Sequence, residues 1–364
     1  MPIDSLESLA EEEYVLRIRE PSRFITKALM ELGSATTEGV VASSVAAWHT
    51  AGYNGTGVRV AVIDGGFTDY STLLGSDLPS SVGTYDWTGS GIEGSEHGTA
   101  CAEIVHDMAP GASIDLHKIN TKVELGMAVT QAITDGVDII SMSGGWSRDG
   151  PGDGTGYLAS IVADARLNGI FYTTAAGNYA VETWAGTYVN YNDSHAWDGA
   201  STWFNFIGPS PGSCTYSFIP GIPLRADLHW DDRGAMDQDY NLHLYCWPLE
   251  GSIVYRVASS TNTQNGGAGQ TPEEDISYIT DDGENCYAWV VERVSSDRDV
   301  CLRLSAPGTG HLNYWTTSRS IGFPADSQDA ITVGVVDVNS PYPLEYYSSQ
   351  GPTFGTSGVC SGVQ

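Results

Sequence analysis

Val58-Arg59-Val60-Ala61-Val62-Ile63-Asp64-Gly65-Gly66 decides how this chain is read. Val58 to Ile63 is dominated by apolar, β-branched residues on both faces, the pattern of a strand buried on both sides in a parallel sheet. The run ends on a carboxylate and two glycines. Asp64 therefore falls at the carboxyl end of a strand, where open α/β sheets collect their functional groups, and Gly65 and Gly66 leave it uncrowded. Asn54-Gly55-Thr56-Gly57, just ahead, spells a turn.

Outward from this strand the chain alternates. Residues 40–52 place Val41, Val45, Ala46 and Trp48 on helical spacing and stop at Gly52. The pattern predicts a helix over Thr99 to Met108, a strand over Ala112 to Ile119 and an amphipathic helix over Glu124 to Thr134 that stops at Gly136. A strand over Val137 to Met142, a helix over Leu158 to Asn168 and a strand over Gly169 to Ala175 follow. Strands alternating with helices of this length imply an α/β fold, a doubly wound and mostly parallel sheet with helices on both faces. Past about residue 180 helical periodicity vanishes. Leu224 to Trp230, Tyr240 to Tyr245, Ser252 to Ala258, Cys286 to Val294 and Val300 to Leu304 alternate apolar and polar residues, as half-buried antiparallel strands do. The α/β pattern returns at Ala330 to Val336. The expected organisation is a lead-in or propeptide remnant over 1–39, helix-like around Arg23 to Leu32, an α/β domain over 40–183 and 316–364, and an inserted, jelly-roll-like β-sandwich over 184–315.

The chain of 364 residues carries 45 Asp and Glu against 16 Lys and Arg, a net charge of -29. Such a surface repels nucleic acid and anionic membranes, whose binding needs cationic contacts. It suits secretion, high salt or calcium-rich surroundings. No apolar run is long enough to span a bilayer, and the acidic start shows no signal peptide. Four of the six cysteines (Cys214, Cys246, Cys286 and Cys301) fall within the β-rich segment, which suggests one or two disulfides and an oxidising compartment; Cys101 and Cys360 lie outside it.

Two further peptides complete a pattern with Asp64: His97-Gly98-Thr99 and Ala175-Ala176-Gly177-Asn178. A His opening a helix can reach a strand-end Asp, which would fix its tautomer and stabilise its cation. A side-chain amide at the end of another strand can donate to a tetrahedral oxyanion. Asp, His and Asn in this order, with Ala47-Trp48 ahead of the Asp64 strand and Asp138-Ile-Ile-Ser-Met-Ser143-Gly144-Gly145 behind the His, resemble the subtilisin-like serine proteases, the subtilases. The similarity extends to Ala325 to Gly334 and Tyr347 to Thr353. It implies a subtilisin-type catalytic domain and a secreted, monomeric serine endopeptidase that acts on polypeptides and needs no cofactor. Asp64, His97 and Asn178 would be catalytic. Ser143, Gly144 and Gly145 would bind substrate as an added strand. Gly144 stands where the family usually has Leu, and Ala100 where many members have a second His.

The family's nucleophilic serine sits in Gly-Thr-Ser-x-Ala-x-Pro. Gly355-Thr356-Ser357 spells only its first half, and Gly358-Val359-Cys360 follows in place of a small residue and a proline opening a helix. The expectation is a chain truncated before its serine, inactive by itself. The alternatives are a catalytically dead subtilase-like scaffold that binds peptides or partners, and a carbohydrate-binding protein acting through 184–315. Glu103 and His106 have metal-ligand spacing, but no HExxH occurs and no metal centre is expected. Asp231, Asp232, Asp237 and Asp239 offer a calcium option against a plain solvated acidic loop. Cys101 is expected to pack as a small apolar residue, and Trp197, Trp203, Trp247 and Trp315 to fill the sandwich core.

Overall fold

The computed structural model describes residues 24–25, 36–188, 204–207, 218–248, 254–281, 285–308, 312 and 314–354. Most of the lead-in, with Cys214, Trp197, Trp203, Ser357 and Cys360, lies outside the described residues. Two short helices, α1 (Glu38–Ala42) and α2 (Val45–Thr50), open the α/β part. A single helix was expected over 40–52. Ser43 Oγ donates back to Gly39 O at 2.6 Å and Ser44 adopts φ 57°, so the helical ladder breaks between them.

The parallel sheet is built from β1 (Arg59–Asp64), β2 (Gly83–Asp86), β3 (Ser113–Lys118), β4 (Ile139–Met142), β5 (Phe171–Ala175) and β14 (Ile331–Val333), in the order β14-β5-β4-β1-β3-β2. Every pairing in it is parallel. β1 lies in the middle with Val60 to Asp64 buried, as its two-faced apolar run requires. Helices α3 (His97–Met108), α4 (Lys122–Thr134) and α5 (Tyr157–Leu167) pack against the sheet. α4 buries Leu125, Ala128, Val129 and Ala132, an i, i+3, i+4, i+7 stripe. It begins at a reciprocal cap in which Thr121 Oγ1 accepts from Glu124 N and Glu124 Oε2 accepts from Thr121 N. It ends before Gly136, whose φ of 67° turns the chain into β4.

Two antiparallel four-stranded sheets stand apart from the parallel one. One pairs β6 (Thr183–Thr187), β8 (Pro223–Trp230), β11 (Glu273–Ile279) and β13 (Cys301–Ser305); the other pairs β7 (Phe204–Ile207), β9 (Asp239–Pro248), β10 (Tyr255–Ser260) and β12 (Asn285–Ser295). Leu224, Leu228, Leu302 and Leu304 of the first sheet meet Leu242, Leu244, Trp289 and Val291 of the second in one buried core, so the pair forms a sandwich. Trp247 is buried, whereas Trp315 is exposed and fills no core. Cys286 and Cys301 each take part in a disulfide; Cys101 and Cys246 are free.

Charged contacts tie the sandwich to the segment that follows β4. Arg148 Nη1 lies 3.3 Å from Asp227 Oδ1 of β8, and Arg303 of β13 donates to Ser147 O at 3.4 Å. The Arg303 guanidinium also lies 5.5 Å from the Phe323 ring centre. No helix among the described residues is long and apolar enough to cross a membrane.

Candidate active site

Asp64 and His97 come from the end of a central strand and the start of a helix. β1 delivers Asp64 at its last residue, fully enclosed, where the Gly65 amide donates to Oδ1 at 2.7 Å. His97 is the first residue of α3, and its Nδ1 lies 2.7 Å from Asp64 Oδ2. The approach depends on the residues between. A Cβ on Gly98 would stand 2.4 Å from Gly66 O and 2.7 Å from Asp64 Cβ, so only glycine lets the helix start so close to the strand. Thr99 Oγ1 donates to Thr68 O at 2.8 Å and locks the first turn of α3 to the loop after Gly66. Lys118, at the end of β3, donates to Ser90 Oγ at 2.9 Å and to Gly91 O at 2.6 Å, and so anchors the loop that leads into His97.

The pair's electrostatics follow from this enclosure. Burial disfavours the imidazolium, but the hydrogen bonds to Asp64 and to Cys101 outweigh it and hold His97 above the ordinary imidazole range. Burial also favours neutral Asp64, so the two titrate as a unit. Asp64 takes up Nδ1, which leaves Nε2 as the ring nitrogen for the cleft that His97 lines.

That cleft has a volume of about 570 Å³ and also takes its lining from Asn178, Ser143, Gly144 and Gly145. Asn178 follows the end of β5. Its turn is pinned by Ser349, whose N donates to Gly177 O at 2.9 Å and whose Oγ accepts from Tyr179 N at 2.9 Å. All six residues singled out in the sequence are thus accounted for: Asp64 bonds His97, and His97 shares one cleft with the other four.

Two contributors were not anticipated. Cys101 Sγ lies 3.8 Å from His97 Nδ1, so this buried thiol touches the pair as well as packing in the helix. Its i+4 spacing from His97 on one helix face was the available signal. Among the described residues, Asp64, His97 and Cys101 form the one group of metal-ligand type, with donor atoms within 4.8 Å of one another. The second surprise is Phe24-Ile25, within a stretch expected to be helix-like. Ile25 is extended: its N donates to Gly145 O at 3.0 Å and its carbonyl oxygen accepts from Gly145 N at 3.3 Å. Extended backbone there satisfies strand-edge groups that a helix would leave unpaired. In the sandwich, Asp232 and Asp237 both pair with Arg298, and Asp232 also accepts from the amides of Asp237 and Gln238.

Comparison with known proteins follows the same lines. Residues 55–207 match the subtilase family. Subtilisin E of Bacillus subtilis (strain 168) is 30% identical over 168 residues, which cover 41% of this chain and 41% of that protein. Subtilisin J of Geobacillus stearothermophilus is 29% identical over the same share. The chain therefore matches about two-fifths of the length of these curated relatives. Among solved structures, the CspB protease of Clostridium perfringens superposes with a TM-score of 0.54 at 12% identity, covering 86% of this chain and 77% of that one, a likeness of fold.

Proposed function

We propose, from a chain whose residues 55–207 are subtilase in sequence, that it serves a serine endopeptidase in which Asp64 and His97 supply two members of the triad. The observation that carries this reading is the 2.7 Å contact between His97 Nδ1 and a fully enclosed Asp64, beside a cleft lined by Asn178 and Ser143 to Gly145. A peptide lies along Ser143 to Gly145 as an added strand. In its neutral form, His97 takes at Nε2 the proton from a serine hydroxyl as its oxygen attacks the scissile carbonyl carbon, and Asp64 stabilises the imidazolium that results. Asn178 donates to the oxyanion. Collapse breaks the C–N bond, the imidazolium returns its proton to the departing amine, and water then releases the acyl group by the same steps in reverse.

The nucleophilic serine belongs, in this reading, outside the described residues. Two disulfide-bonded cysteines, Cys286 and Cys301, support an oxidising compartment and hence secretion. The test is hydrolysis of an unfolded protein by the full gene product, with new N-termini identified by mass spectrometry. Cleavage that disappears in His97→Ala and Asp64→Ala supports the reading. A folded protein that generates no new termini would favour a peptide-binding scaffold instead.

A further inference from the structure

β13 alternates as a sandwich strand does. Leu302 and Leu304 join the buried sandwich core, so Arg303 between them projects from the opposite face of the sheet. Even so, Arg303 is only 4% exposed. Its Nη2 donates to Ser147 O at 3.4 Å and its guanidinium lies 5.5 Å from the Phe323 ring centre, so the α/β part covers it. A second arginine is enclosed nearby. Arg319 is 6% exposed, donates from Nη1 to Thr353 O at 2.8 Å and lies 5.4 Å from the Phe354 ring centre. Arg303, Arg319 and Asp326 line one small cavity together with Gly152 and Phe354.

Neither arginine forms an ion pair among the described residues, and the Nε of each is buried with no hydrogen-bond partner among them. Asp326 Oδ1 is a third such atom, while its Oδ2 accepts from Gly154 N at 3.1 Å. Three further carboxylates act on this group from a distance: Asp153 on Asp326, Asp227 on Arg303 and Asp231 on Arg319. Asp227 is already paired with Arg148. A guanidinium charge held out of water without a counterion is costly. Water among these atoms would satisfy hydrogen bonds but leave both charges uncompensated. An anion that accepts from both Nε–H groups supplies the charge as well. The volume sets its size: about 10 Å³ admits one atom-sized occupant and excludes carboxylate, phosphate or sulfate. Burial holds the Asp326 carboxyl up at about 6, so below that pH it is neutral and donates to an anion instead of repelling it.

We infer that Arg303, Arg319 and Asp326 form a binding site for a single chloride ion at the seam between the sandwich and the α/β domain. The ion stands in for a direct salt bridge: Arg303 comes from β13, and Arg319 and Asp326 from the chain that leads back to β14. The site shares no lining residue with the His97 cleft, so it stands or falls apart from the proteolytic reading.

Chloride itself is the probe. The chlorine NMR linewidth of a sodium chloride solution is followed as the full chain is added at about pH 5, where Asp326 keeps its proton. The wild-type chain is expected to broaden the line, and bromide, but not sulfate, to reverse the broadening. Chloride affinity is expected to fall at least ~10-fold in Arg319→Gln, with circular dichroism unchanged. No broadening, broadening that sulfate reverses as well as bromide does, or an affinity unchanged in Arg319→Gln would each overturn the inference. Should Arg319→Gln fail to fold, crystals of the wild-type chain grown in sodium bromide decide. An anomalous peak within hydrogen-bond reach of Arg303 Nε and Arg319 Nε is expected; density there without anomalous signal would be water and would contradict the site.

Discussion

His97 Nδ1 and Asp64 Oδ2 lie 2.7 Å apart, although the two residues come from different elements and are 33 positions apart in the chain. A carboxylate with no exposure is costly to ionise unless it is partnered, and here the imidazole is the side-chain partner. Their coupling sets the first prediction. His97 is held above its ordinary pKa, so the pair's contribution to stability is fully present below about pH 6.5, the unfolded imidazole value, and is lost as pH rises through the folded value. Asp64→Asn removes the charge and leaves the Cys101 contact against burial, which disfavours the cation. The His97 midpoint, followed by the NMR shift of its ring proton, should fall by at least about one unit. An unmoved midpoint would show that Asp64 does not control the imidazole.

Gly98 is the point at which α3 and β1 come closest. In Gly98→Ala the new methyl meets Gly66 O and Asp64 Cβ, and backbone cannot step aside as a side-chain tip can. The expected cost is about 1–3 kcal/mol in denaturant unfolding. His97 should also move from Asp64, so its NMR titration should shift toward the ordinary imidazole value. Wild-type stability together with a wild-type His97 titration would contradict the close approach.

How far the sequence could be read depended on what each residue had to satisfy. The β1 run and its terminal Asp64 were legible because a strand buried on both faces admits few polar residues. Asp64, His97 and Asn178 could be singled out because the roles proposed for them demand particular side chains at element ends. β11 was not, because its inward face carries Glu274 beside Ile276. That carboxylate is fully buried and held by Ser260, Asn262 and Gln264, so a polar residue sits where alternation calls for an apolar one. The Phe24-Ile25 contact was invisible for another reason. Its partners, Asn120 and Gly145, are set by sheet order, a long-range property that local periodicity does not encode.

The seam between the sandwich and the α/β domain gives a pH-dependent prediction. Burial pushes the Asp227 carboxyl up to about 7, against the opposing pull of Arg148. A carboxyl raised in the folded state holds its proton more tightly there than in the unfolded chain. Its contribution is therefore greatest below the unfolded value of about 3.9 and is lost as pH rises toward 7. Asp326 is raised to about 6 by burial and adds in the same direction. Unfolding free energy measured in urea should fall between pH 5 and 7, and Asp227→Asn should flatten that fall. An identical slope in the variant would show that Asp227 is ionised throughout.

The central claim is that the Asp64–His97 pair activates a serine, and covalent labelling tests it most directly. The full gene product is treated with a fluorophosphonate probe, and the modified residue is located by tandem mass spectrometry. One serine outside the described residues should be labelled, and the label should disappear in His97→Ala with the protein still folded. A folded protein that takes no label, or a label that persists without His97, would contradict the serine endopeptidase reading.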